Sequence, residues 1–68
     1  MKEVKYPNLV GEMARHGDTQ RTIANLLNTS YNSIWRRLTG RTEWSISEID
    51  KLCEYYHKNY DELFKKTI

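Results

Sequence analysis

Apolar residues recur along this chain at three- and four-residue intervals, and no stretch alternates with a period of two. The first spacing is that of a helix with one buried face; the second, which would mark a half-buried strand, is missing. Leu9, Val10, Met13 and Ala14 form the first apolar group, the 9/13 and 10/14 pairs lying on neighbouring stripes. Ile23, Ala24, Leu26 and Leu27 form the second, and Ile34 and Leu38 the third. Ile46, Ile49, Leu52, Cys53 and Tyr56 make the fourth, and Leu63 with Phe64 the last.

The residues between these groups are helix starts and stops. Asn8 can cap the first helix, and Gly17 suits the left-handed position that closes it. Thr19 offers a capping hydroxyl to the second helix. Asn28, Thr29 and Ser30 then break it, with Asn28 able to take a positive φ at the bend. Ser30 can cap the third helix, which Gly40 ends, and residues 41–44 read as a loop. Ser45 and Glu48 have the spacing of a capping box. Asn59 can cap a last short helix, with Asp61 and Glu62 at its positive end and Lys65 and Lys66 at its negative end. Helices are expected near 8–16, 20–27, 31–38, 46–57 and 60–65. The fold class predicted is all-α, one compact five-helix domain over residues 1–68.

Size and composition narrow the function. A chain of 68 residues buries only about 60% of its unfolded surface, so few and well-placed apolar side chains must supply the core. No apolar run approaches the roughly 18 residues of a membrane span, and the charged first six residues lead into no apolar leader segment. A cytoplasmic protein is expected. Cys53 is the one cysteine, which leaves no internal disulfide and no all-cysteine metal site. Three glycines do not make a phosphate-binding loop.

The net charge is only +2, but it is unevenly placed. Residues 1–42 carry seven Lys and Arg against three Asp and Glu, a net of +4. Residues 43–68 carry four against six, a net of −2, and every arginine lies in the first part. This polarity suggests an anionic partner for one side of the molecule, the alternative being chance clustering on a solvated face.

The unit formed by residues 19–38 is the most informative. Two short helices joined by a tight turn, with small Ala24 in the middle of the first, can cross steeply and closely. Ile23, Leu27 and Ile34 lock the angle. This is a helix-turn-helix arrangement, whose second helix can enter a major groove. Ile34 and Leu38 turn inward and leave Asn32, Ser33, Arg36 and Arg37 outward.

The run Thr19-Gln20-Arg21-Thr22-Ile23-Ala24-Asn25-Leu26-Leu27, followed by Thr29-Ser30-Tyr31-Asn32-Ser33-Ile34 and Gly40, resembles the lambda-repressor-like, Cro-repressor-type (XRE-family) helix-turn-helix DNA-binding domains. The likeness continues through Trp44, Ser45, Ile46, Glu48, Ile49 and Leu52 to Leu63 and Phe64. It departs at Asn28, where a glycine is usual, at Asp18, where an apolar residue is common, and at Lys58, where a small aliphatic is usual. Asp18 is expected to leave the joint between the first two helices less well packed.

The resemblance implies a sequence-specific double-stranded DNA-binding protein, a phage or bacterial transcriptional regulator acting by operator occupancy, and a homodimer on near-palindromic sites. It implies base reading by Ser30, Tyr31, Asn32, Ser33 and Arg36: Asn suits adenine, Arg guanine, and a Tyr ring a thymine methyl or a phosphate. It implies phosphate contacts by Gln20, Arg21, Arg37 and Arg41. No catalytic role, cofactor, metal, small-molecule ligand or membrane is expected.

Other readings remain beside this one. Tyr31 lies only ~20° around the helical wheel from Leu38 and Trp35 ~60°, so either ring could pack on the core or face DNA. Trp44 is expected in the core. Cys53 and His57 share a helical face at metal-ligand spacing, but zinc wants three or four protein ligands, and His16 is the one further soft partner. A buried thiol beside a surface imidazole is the expectation. Tyr55, Tyr56 and Tyr60 form a core edge or part of a self-association surface. A rival function is a helix-turn-helix-derived protein-interaction module, antitoxin-like or inhibitory, whose third helix would carry acidic or apolar residues outward.

Overall fold

Five helices follow one another without a strand among residues 4–65, the part of the chain that the computed structural model describes. They are α1 (Pro7–Arg15), α2 (Gln20–Leu26), α3 (Tyr31–Leu38), α4 (Ile46–Tyr56) and α5 (Tyr60–Leu63). The all-α, five-helix expectation is met. Lys66, expected at the end of the last helix, lies outside the described residues.

Four helices begin as their cap residues dictate. The side chains of Thr19, Ser30, Ser45 and Asn59 each accept a backbone N–H three residues on. At Ser45 and Asn59 the third residue is a glutamate that reaches back to the cap, closing a capping box. The first helix departs from expectation. It starts one residue early, at Pro7, whose ring fixes a helical φ and whose missing N–H costs nothing in the first turn. Asn8 is therefore inside the helix and caps nothing; its amide donates instead to the Glu62 carbonyl at 3.0 Å, tying α1 to α5.

The first four helices each end on a residue of positive φ. After α2, Asn28 takes φ 56°, its N–H bonds the Asn25 carbonyl and that of Thr29 bonds the Ala24 carbonyl. This pair of bonds is a Schellman motif, and it makes the tight bend between α2 and α3. Gly17 closes α1 and Gly40 closes α3 in the same way. After α4, His57 takes φ 56° with no glycine to ease it, and its N–H and that of Lys58 both bond the Cys53 carbonyl.

Every helix contributes to the core. Leu9, Ile23, Ile34, Leu38, Leu52 and Leu63 are fully buried. An aromatic trio covers one end, Trp44 meeting Phe64 edge-on at 5.6 Å and Tyr6 meeting both. Trp44 is in the core, as expected. Two apolar residues assigned to the inside are not there. Ile46 is 78% exposed: it sits about 100° around the α4 wheel from the buried Leu52–Tyr56 line. Ala14 is also exposed, because the flank of α1 that turns inward is the opposite one. There Glu12 is buried, its carboxylate paired with Arg15 and, at 3.4 Å, with His16.

Candidate nucleic-acid interface

Helices α2 and α3 pack on each other more extensively than any other pair. Buried Ala24 lets them approach, and Ile23, Leu27 and Ile34 are buried with it. Helix α3 is thus pinned by Ile34 and Leu38 on one side. Its opposite side, about 160° away on the wheel, is the Asn32–Arg36 stripe, and both residues are exposed. Tyr31 and Trp35 occupy one flank of that stripe, Ser33 and Arg37 the other.

The first turn is partly self-occupied. Ser30 Oγ accepts the Ser33 N–H at 3.1 Å and donates to Ser33 Oγ at 2.9 Å. Capping therefore uses the Ser30 hydroxyl, and half-buried Ser33 is drawn toward it. Tyr31 is half exposed, at 50%. It belongs with the outward residues.

Trp35 is half-buried, and the Arg41 guanidinium lies over its ring at 4.8 Å. The Arg41 N–H also bonds the Arg36 carbonyl at 2.9 Å, so this exposed cation is placed by both backbone and side chain beside the end of α3. Trp35 is a platform for Arg41.

On α2, Gln20 is half-buried and Arg21 exposed, both in the first turn. Arg37 does not point outward as its sequence position suggested. Its side chain is only 19% exposed and its Nε donates to Glu48 Oε1, across to α4, at 3.0 Å. Hence Ser30, Tyr31, Asn32, Ser33, Arg36, Arg41, Gln20 and Arg21 lie on or beside the α2–α3 face, while Arg37 is folded against its edge. Residues 19–42 hold four arginines and no acid.

One cation beside this face escaped the sequence reading. The Lys5 N–H bonds the Leu38 carbonyl at 2.8 Å, and the Lys5 side-chain stem lies against Gly40. The N-terminal segment returns to the end of α3 only through the tertiary fold, and nothing local in the sequence announces it.

Away from this face Cys53 is half-buried rather than buried as expected. Burial, and then the negative charge of Asp50, push the Cys53 thiol above its ordinary value. His57 is exposed in its left-handed turn. Among the described residues no three His, Cys, Asp or Glu side chains are grouped to hold a metal ion. Nor is any helix there long and apolar enough to cross a membrane. The BetR domain family model matches residues 4–68. No curated protein and no solved structure matches the chain.

Proposed function

This chain belongs to the BetR domain family of small, helix-turn-helix-like helical domains, and we propose that it binds double-stranded DNA with sequence preference through the outer face of α3. One observation carries the reading: the exposed Asn32–Arg36 stripe stands opposite the core stripe of a well-anchored helix, within a segment that has arginines and no acid. Asparagine and arginine are the side chains that make two-point hydrogen bonds to adenine and guanine in the major groove. Tyr31 adds a ring able to meet a thymine methyl, and Ser33 a smaller contact. Arg21, Gln20 and Arg41, set around this stripe, would hold phosphates and fix the docking register.

The likeness to Cro-type repressors extends the proposal to a cytoplasmic transcriptional regulator that acts by occupying its operator. One short helix covers too little DNA for high affinity, so two copies on a near-palindromic site are the expected bound form. A protein-interaction module would instead favour acidic or apolar residues on the outer face of α3, and that face carries neither along its central stripe.

The test is an anisotropy titration against a pool of random duplexes at two salt concentrations, followed by enrichment of the bound fraction. Binding that weakens with salt and converges on one sequence supports the proposal. A flat response at every protein and salt concentration removes it.

A further inference from the structure

Arg37 and Glu48 make the described ion pair that links α3 to α4. Both side chains are largely shielded, 19% and 14% exposed. The carboxylate does two things through one atom: Glu48 Oε1 accepts Arg37 Nε at 3.0 Å and the Ser45 N–H at 2.9 Å. It thereby closes the α4 capping box and holds the side of α3 against the start of α4.

Consider what else fixes α3. Ile34 and Leu38 lie on a single stripe and stop the helix from lifting off the core, and the Lys5 N–H bond to the Leu38 carbonyl ties its last turn at the end of that same stripe. A single stripe resists roll about its own line poorly, and the Arg37 tie acts off that line. Roll matters at the groove. A roll of about 10° moves a side-chain tip ~5–6 Å from the helix axis by about 1 Å. That displacement exceeds the roughly 0.5 Å span of good N–H···O distances, so a two-point contact from Asn32 or Arg36 would be lost.

We propose that Arg37 is a positioning residue of the DNA interface rather than a phosphate ligand: held by Glu48, it sets the roll of α3 and so the aim of Asn32 and Arg36. This rests on the reading of α3 as the groove-facing helix. Recruiting Arg37 to a phosphate would strand a shielded carboxylate without its cation, which is costly. Arg37 therefore releases no counterion on binding and contributes selectivity instead.

The experiment compares wild type with Arg37→Gln and Glu48→Gln on a selected and a scrambled duplex across a salt series. Gln at position 48 keeps an oxygen for the Ser45 N–H, so the cap survives while the charge is removed. Both variants should lower the preference for the selected duplex by about tenfold; Arg37→Gln should keep the slope of log K against log salt, whereas Glu48→Gln, which releases the Arg37 cation, should tighten both duplexes and steepen it. The double variant should lose no more than either single one. A phosphate-binding Arg37 gives another pattern. Arg37→Gln then weakens both duplexes alike, keeps the preference between them, and flattens the slope by about 0.9. That result overturns the proposal and leaves DNA binding intact, whereas wild type that binds no duplex removes both. Should a single variant melt below the assay temperature, Arg37→Met/Glu48→Leu removes both charges together and serves the same comparison. Lost selectivity at constant slope supports the positioning role, and a flattened slope refutes it.

Discussion

Asp18 takes a place where an apolar side chain would fill the joint between α1 and α2. It accepts hydrogen bonds there, from the Tyr56 hydroxyl at 2.8 Å and from that of Tyr55 at 3.4 Å. The expected loose joint is thus tied to α4 by polar contacts whose partners lie 37 and 38 positions along the chain. No local pattern could have named them. Tyr56 is buried, and burial first, then the bond to Asp18, push its phenol well above the ordinary value. The sign is fixed by linkage. An unfolded tyrosine ionises near pH 10 while the folded one stays protonated, so its stabilising effect is complete below that pH and is lost as pH rises beyond it. Tyr56→Phe should cost about 1.5 kcal/mol at neutral pH. Its gap from wild type should narrow as pH rises above 10 and be nearly closed about one pH unit higher. Urea unfolding across the alkaline range measures this, and parallel curves would contradict it.

Among the helices, boundaries set by adjacent residues were legible and those set by distant ones were not. Thr19, Ser30, Ser45 and Asn59 cap as read because the bonds they make are three residues long. Asn28 bends as read because its left-handed preference is its own. Ile46 misled because the apolar stripe of α4 is wide enough to admit it, and only the position of the core shows which edge is wet. His57 adopts φ 56° without a local signal. A residue that is neither glycine nor asparagine is strained there, so His57→Gly should stabilise the fold by about 1 kcal/mol, and Asn28→Gly by less. Chemical denaturation of the two variants tests that order. Ala24 is buried on α2, the helix that packs most extensively against α3. Ala24→Leu should destabilise by about 1–3 kcal/mol through overpacking, and it should also reduce DNA selectivity by moving α3. A variant as stable as wild type would mean that the crossing has room to spare.

At the scale of the whole molecule, the division of charge visible in the sequence becomes a spatial one through the packing of α2 on α3. Arg21, Arg36 and Arg41 are exposed on or around one face, while the charges of Glu12, Arg15, Arg37 and Glu48 are taken up in internal pairs. Counting basic residues therefore overstates the exposed positive face. Arg37 is the instructive case, because its outward position on a helical wheel says nothing about a carboxylate eleven residues later on another helix. The remaining arginines differ in placement, and the difference is measurable. Arg36 stands on the central stripe of α3, one turn from Asn32. Arg41 lies beyond the helix end, over Trp35. Arg36→Ala should cost about 1–3 kcal/mol on the preferred duplex and relax the base preference at one position, with little effect on scrambled DNA. Arg41→Ala should weaken every duplex alike and flatten the salt slope by about 0.9. Trp35→Ala removes the surface that orients Arg41 and should reproduce part of the uniform loss while leaving the base preference in place. If Arg36→Ala and Arg41→Ala behave identically on preferred and scrambled duplexes, the face does not divide into reading and holding parts, and a groove-reading α3 is excluded.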